Sequence, residues 1–149
     1  MTEFDIQKQM FDHFVTLNDF SGISFLKIDS EKEGYKKYTN VHFPNVPFTV
    51  PQDKRWFDLS VQIGEPEDAF IMEDSPYSFA GTFKIDIYTP QDCGEEECMN
   101  KYRWIAKLFN DVSLDDVDIM KVYISTKGND ADCYRLQVTI NWTAVINKE

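Results

Sequence analysis

The sequence predicts an α+β fold: an antiparallel β-sheet of about four to six strands, with an N-terminal helix and a second helix packed on one face. In two segments apolar residues recur every three or four positions, as they do along amphipathic helices. In several other segments apolar and polar residues alternate, as they do in strands with one buried face. The length of 149 residues and the hydrophobic fraction of 42% suit a single domain, 1–149, with its own core.

The N-terminal part of the chain begins with the first helix, predicted from residue 3 to about residue 18 and ending in the segment 19–22. Residues 23–28 are predicted as a short strand. The charged residues 29–37 are predicted as an exposed loop or a hairpin tip. The apolar stripe of the helix consists of Phe4, Met10, Phe11, Phe14 and Leu17.

Three prolines punctuate residues 38–51, at Pro44, Pro47 and Pro51. Proline has no backbone N–H to donate to a sheet, so this segment is predicted as an extended arm or an edge segment. A strand follows over residues 55–63, where polar and apolar residues alternate strictly. Its apolar face consists of Phe57, Leu59, Val61 and Ile63.

Trp56 falls on the opposite, polar face of that strand. A large aromatic side chain on a polar face is typical of an interface. The alternative is that the N-terminal helix or the proline arm covers the ring. The candidate interface residues in this part of the chain are Phe43, Pro44, Val46, Pro47, Phe48 and Trp56.

The middle of the chain contains the clearest strand and the second helix. Residues 65–76 are acidic around an apolar island, 69–72, and are predicted as a short strand or a mobile loop. The long strand that follows places on one face Phe79, Gly81, Phe83, Ile85 and Ile87. A break at 90–94 leads into the helix. Its apolar stripe consists of Cys98, Tyr102, Ile105 and Phe109.

The last third of the chain is predicted as two strands joined by a turn. The first strand spans residues 119–126, and the turn is placed at 127–130, where glycine and asparagine favour it. The inward face of the final strand is predicted to consist of Tyr134, Leu136, Val138, Ile140 and Trp142.

No catalytic or metal-binding pattern is visible in the sequence. There is no Gly-rich phosphate loop, no nucleophile with a neighbouring base, and no ligand set at zinc-site spacing. The cysteines, Cys93, Cys98 and Cys133, are odd in number and predict buried or incidental thiols in a reducing cytoplasm. The acidic N-terminus argues against a signal peptide, and the absence of a long apolar run argues against a membrane span. We therefore expect a protein that is not an enzyme and needs no cofactor or metal.

Charge is concentrated in the middle of the chain. The net charge is −11, and residues 51–100 hold 12 acidic residues against three basic ones. A domain this acidic is poorly suited to binding a nucleic-acid backbone. The acidic residues at 95–97 have a simple structural explanation, since negative charge is stabilised in the first turn of a helix.

The order of these features resembles the tail-terminator or tail-completion proteins of long-tailed bacteriophages. The resemblance covers most of the chain: the N-terminal helix, the arm 40–48, the strand 56–63, the segment 81–94 with its following helix, and a long last strand ending near Ala144. The most specific of these motifs is the strand that begins at Gly81, followed by a glycine-containing turn and a helix.

The resemblance implies a structural protein of the phage virion, assembled in the bacterial host cytoplasm. Such proteins form a ring, usually a hexamer, that caps the tail tube, stops its polymerisation and presents a surface for joining the head. The implied partners are further copies of the chain, the tail tube protein and a head-completion or connector protein. DNA passes through the ring without specific binding, and no membrane is involved.

A ring around DNA gives the acidic residues a second interpretation. An acidic channel wall would keep the duplex away by repulsion over a screening length of about 8–10 Å. The candidate lumen residues are Glu65, Glu67, Asp68, Glu73, Asp74, Glu95, Glu96 and Glu97.

Three alternatives remain open at the level of sequence. The first is a neck or head-closure protein of the same virion joint. The second is an acidic protein that imitates DNA and inhibits a nucleic-acid enzyme, which the net charge favours. The third is a small α+β ligand-binding module or hydrolase, for which a catalytic constellation is missing.

Overall fold

The computed structural model describes residues 3–32, 35–44, 46–64, 67–68, 77–110, 112–114 and 117–146. Within these ranges the chain forms helices and an extended sheet, which confirms the α+β class. The elements in chain order are α1 (Glu3–Phe14), α2 (Leu17–Ser21), β1 (Ile28–Lys32), β2 (Tyr35–Tyr38), β3 (Val41–His42), β4 (Trp56–Ile63), β5 (Glu67–Asp68), β6 (Tyr77–Pro90), α3 (Glu96–Phe109), β7 (Val117–Asp130) and β8 (Cys133–Ile146).

The main sheet has the strand order β3-β4-β6-β8-β7, and β5 pairs with the start of β6. Its pairs are antiparallel apart from β3 and β4, which run parallel, so the sheet is mixed at this edge. β1 and β2 form a separate antiparallel hairpin, so most of residues 29–37, predicted as an exposed loop or a hairpin tip, belong to strands. The sheet therefore has two different edges, one formed by β3 and β4 and the other by β7.

The core lies between one face of the sheet and the helices α1 and α3. The register aligns Phe83 of β6 with Ile140 of β8 and Val61 of β4, so apolar residues form continuous rows across the strands. Phe83 is fully buried, with its ring centroid 5.7 Å from that of Phe11 in α1 and 5.7 Å from that of Phe109 in α3. Both helices thus pack on the same face, as the sequence predicts.

The N-terminal region differs from the prediction at two points. The helix predicted over 3–18 ends at Phe14 and a new short helix begins at Leu17. At the break the hydroxyl of Thr16 donates to the carbonyl of His13 (2.6 Å), and β-branched Val15 and Thr16 are weak helix formers.

The strand predicted at 23–28 was wrong, because regular strand begins only at Ile28. Side-chain amides occupy the backbone groups that a strand would use. Asn18 donates to the carbonyl of Leu26 and accepts from its N–H. Asn40 likewise donates to the carbonyl of Phe25 and accepts from the N–H of Lys27. These long-range contacts are not visible in the local sequence.

The turn predicted at 127–130 was also placed wrongly. β7 continues to Asp130, which pairs with Cys133, and the two turn residues are Ala131 and Asp132. Ala131 adopts φ 56°, a left-handed conformation that its residue type does not favour. The register of the long β7–β8 pair therefore determines the turn and overrides the local preference for glycine and asparagine.

Candidate interaction surfaces

The face of the sheet opposite the helices carries charged and polar side chains, and we call it the polar face. Asp86 of β6 lies at its centre, where its carboxylate accepts from the amide of Gln137 (3.0 Å) and lies 4.0 Å from the guanidinium of Arg135. Arg135 also lies 3.9 Å from Asp130. Partial burial raises the pKa of the Asp86 carboxyl, and the contacts with Gln137 and Arg135 oppose that rise. Charges on this face are thus largely paired with one another.

Four aromatic rings form a ladder at one end of the polar face. Trp56 stacks on Tyr88 with ring centroids 4.1 Å apart and an interplanar angle of 4°. Phe48 lies 5.1 Å from Trp56 on one side and 5.1 Å from His42 on the other. His42 also lies 3.2 Å from the carboxylate of Asp58. Phe48 of the arm therefore covers the Trp56 ring, which was the alternative to an exposed interface residue.

The arm divides into side chains that anchor it and side chains that face solvent. Phe43 packs edge-on against Phe11 (5.4 Å between centroids), and Phe48 belongs to the aromatic ladder. Val46 is partly buried, whereas Pro44 and Pro47 are exposed. Val50, beyond the predicted set, is 50% exposed. The candidate interface in this region thus consists of an outward surface of Pro44, Pro47 and Val50 that is held in place by two inward phenylalanines.

The β7 edge carries a second exposed apolar residue that sequence reasoning missed. Met120 is 64% exposed and is skipped in the pairing of β7 with β8, between Ile119 and Lys121. Such a β-bulge blunts an edge against further strand pairing while projecting its side chain outward. The sequence contained a signal for this residue, because Met120 follows Ile119 and so breaks the alternation of apolar and polar residues along β7.

Of the acidic residues at the start of α3, Glu96 and Glu97 lie in its first turn, as the sequence predicts, and Glu95 is the N-cap residue. Two of them have specific partners. The carboxylate of Glu95 accepts from the hydroxyl of Tyr134 (2.6 Å) and lies 3.2 Å from the ammonium of Lys127. The carboxylate of Glu97 accepts from the guanidinium of Arg55 (2.6 Å). Glu96 is exposed. Most of the charge at this helix end is therefore neutralised within the chain.

The structure does not bring the two predicted acidic groups together. Glu67 and Asp68 form β5, which pairs with Tyr77 and Ser78 at the beginning of β6. The acidic turn of α3 follows the other end of β6, about 40 Å away along an extended strand of this length. Glu65, Glu73 and Asp74, like the apolar island 69–72, lie outside the described residues.

The family of the chain follows from a comparison of its sequence with known families. The family model described as "Phage tail terminator protein" matches residues 31–142. The chain belongs to this family. The match includes most of the sheet, α3 and the arm, whereas α1 and α2 precede it. No curated protein matches the chain in sequence.

A solved structure shares the whole fold of this tail terminator family member. It superposes with a TM-score of 0.65 and 12% sequence identity, over 96% of this chain and 98% of that chain. At this identity the likeness shows the fold alone. Because the superposition extends over nearly the whole chain, the packing of the N-terminal helix on the sheet is part of the shared architecture.

The thiols and acidic side chains of this tail terminator family member do not form a metal centre among the described residues. Cys93 is exposed, while Cys98 and Cys133 are buried. The Cys98 thiol lies 3.2 Å from the hydroxyl of Thr89 inside the core, where burial raises the pKa of the thiol. Of the helices in the described ranges, none has the length and apolar character needed to cross a membrane.

The contact between Tyr134 and Glu95 gives a measurable titration. Partial burial and the hydrogen bond to the carboxylate raise the pKa of the Tyr134 phenol from 10.0 to about 12. The Tyr134 phenol therefore keeps its proton to a higher pH in the folded state than in the unfolded state. Its contribution to stability is complete below pH 10 and is lost as the pH rises toward about 12. The absorbance of the wild type and of Tyr134→Phe can be titrated at alkaline pH. The difference between the two curves should give the titration of the Tyr134 phenol alone.

Glu95→Gln provides the control for that titration, because it removes the negative charge and keeps the size of the side chain. We expect it to lower the pKa of Tyr134 toward the ordinary value. An unchanged pKa in Glu95→Gln would show that the contact with Glu95 does not contribute to the shift.

Proposed function

We propose that the chain forms a ring, with six copies as the expected number, that caps the head-proximal end of the phage tail tube. The ring ends tube polymerisation and presents the surface to which the filled head is joined. The observation that carries this proposal is the family match over residues 31–142. The family implies a structural, non-enzymatic component of the virion tail.

The two edges of the sheet support a ring built from one repeated contact. Ring closure requires a heterologous contact, in which one surface of a subunit meets a different surface of the next. The exposed arm surface with Val50 lies at the β3–β4 edge, and Met120 projects from the β7 edge. Both are apolar and exposed, and they lie at opposite ends of the strand order. We assign the subunit contact to this pair of surfaces.

The acidic residues extend the proposal to the channel. In a ring through which DNA passes, unneutralised carboxylates on the inner wall repel the phosphates and keep the duplex mobile. Glu96, which is exposed, is the candidate for this role at the start of α3. Glu67 and Asp68 stay candidates by their charge, and the backbone of β5 places them beside the start of β6. Because β5 and the start of α3 lie at opposite ends of β6, they would line the channel at different heights.

Single charged substitutions test the subunit contact. Val50→Asp and Met120→Asp each place a carboxylate in one half of the proposed interface, and each should abolish rings by desolvation of the new charge. Ile23→Asp, at a comparably exposed apolar residue near α2, is the matched control and should assemble as the wild type does. Sedimentation velocity and negative-stain imaging, with and without tail tubes, give the readout.

A mixture of the two interface variants distinguishes this contact from a general loss of solubility. Val50→Asp keeps an intact β7 edge and Met120→Asp keeps an intact arm, so one productive contact can form between them. The mixture should therefore yield heterodimers but no rings. Rings formed by either variant alone would show that the ring uses other surfaces. Loss of rings in both variants without dimers in the mixture, with the wild type assembling, would contradict the pairing of these two surfaces.

Tube length tests the terminating role. Tail tube protein polymerised with the wild-type chain should give tubes of limited length with a ring at one end, whereas Met120→Asp should leave tubes to elongate. Binding to an isolated head connector without any binding to the tube would instead indicate the neck or head-closure role. A wild-type chain that stays monomeric on tubes and connectors alike would overturn the proposal.

A further inference from the structure

A cavity of about 230 Å³ lies beside the start of α3. Its walls come from the loop before β1, the residue before β3, the turn before β4 and the first two turns of α3. The residues that matter for its chemistry are Lys27, Asn40, Asp53, Arg55, Glu97 and Lys101.

The walls of this cavity are fixed by hydrogen bonds of their own. Asn40 holds the loop through the backbone groups of Phe25 and Lys27. The guanidinium of Arg55 donates to Glu97 (2.6 Å) and to the carbonyl of Asp53 (3.4 Å). The ammonium of Lys27 lies 3.6 Å from the carboxylate of Asp53. Asn40 and Arg55 are thus held in place by the protein itself, which reduces the side-chain freedom that would be lost on binding a ligand.

Lys101 is the exception in this lining. It is only 6% exposed, and its ammonium lies 5.4 Å from the centroid of the Phe57 ring. Burial lowers the pKa of this ammonium, although Glu97 opposes the effect. Of the neighbouring acids, Asp53 lies 3.6 Å from the ammonium of Lys27. One oxygen of Glu97 accepts from Arg55, while its Oε2 is buried and has no hydrogen-bond partner within the part of the chain that the structure describes. A buried cation is normally paired, and the attraction of an aromatic face is a weak substitute for an anion.

We propose that this cavity binds a carboxylate group through the ammonium of Lys101. A carboxylate offers two acceptor oxygens to the three donors of an ammonium, and such charge-assisted bonds are the stronger kind. The lining holds three cations against two anions, in a chain whose net charge is −11. The carboxylate belongs either to a free small acid or to an aspartate or glutamate side chain of another copy of this acidic chain. The site does not depend on the ring proposed above.

Acetate is the probe for the free ligand, with sodium chloride at equal ionic strength as its control. In the wild type, acetate should shift the side-chain NMR signal of Lys101 saturably and raise the pKa of its ammonium, because the bound anion stabilises the charged form. Lys101→Met should weaken acetate binding by about tenfold or more, the effect of losing one charged hydrogen bond. Lys107→Met is the matched control, since Lys107 also lies over a ring in α3.

A second measurement distinguishes the source of the carboxylate. If a neighbouring copy supplies it, Lys101→Met should weaken self-association in sedimentation velocity and acetate should compete with assembly of the wild type. If a free acid supplies the carboxylate, acetate should bind, and neither acetate nor Lys101→Met should change assembly. The proposal is overturned if acetate leaves the Lys101 signal and pKa unchanged in the wild type while Lys101→Met assembles normally. If Lys101→Met fails to fold, the NMR titration of Lys101 with acetate and the effect of acetate on assembly, both in the wild type, still test the proposal.

Discussion

Gly81→Ala should destabilise the domain by about 3 kcal/mol or more, because the added methyl group has no room between two strands. A Cβ at this position would lie 2.2 Å from the carbonyl oxygen of Gln62 and 2.6 Å from the indole ring of Trp142. The first neighbour is backbone in the paired strand β4, and the second is a fully buried side chain. Neither can move without disturbing the sheet. Urea denaturation followed by circular dichroism measures the loss.

Gly22→Ala is the control for this substitution. Gly22 lies at the end of α2 with φ 69°, and a Cβ there meets nothing within 4 Å. It should cost only about 1 kcal/mol, the strain of a left-handed alanine. The comparison separates steric overlap from backbone strain, because the backbone of Gly22 is left-handed and that of Gly81 is not. Equal losses in the two variants would contradict the close approach at Gly81.

Phe83→Ala should cost about 3–5 kcal/mol, the usual range for removing a buried aromatic ring. Phe83 is fully buried and its ring meets those of Phe11 and Phe109. It therefore joins the sheet to both helices, and its loss leaves a cavity at the point where the three elements meet. The free energy of unfolding, extrapolated from urea denaturation, gives the comparison with the wild type.

Thr82→Ala tests whether the cost at Phe83 comes from the core or from the strand itself. Thr82 is the neighbouring residue of β6, and its side chain lies on the polar face. Its replacement should change stability by less than about 1 kcal/mol, the span of strand preferences. A cost at Thr82 similar to that at Phe83 would mean that strand pairing, and not burial, dominates this region.

The strands with strict alternation could be predicted almost residue by residue. The buried set Phe57, Phe83, Ile85, Ile87 and Val138 follows from spacing alone, because a side chain of a strand points to one face or the other. The second helix was predicted for the same kind of reason. Elements that depend on distant side chains, such as the loop held by Asn18 and Asn40, could not be predicted.

The candidate site was predicted in composition but not in arrangement. Proline spacing indicated the arm, yet the division into inward Phe48 and outward Val50 depends on contacts with His42 and Trp56. Lys101 was not predicted at all. In the sequence it is an ordinary lysine of an amphipathic helix, and only the packing of three separate segments around it creates a cavity with a buried charge.

The sequence by itself determined the α+β class, the buried faces of β4, β6 and β8, and the family to which the chain belongs. These depend on periodicity and on motifs that are local in the chain. The tertiary structure alone decided the parallel pairing of β3, the β7–β8 turn, the ladder that covers Trp56, and the cavity around Lys101. Each of these results from contacts between residues far apart in sequence, whose free energies outweigh the local preferences of the residues involved.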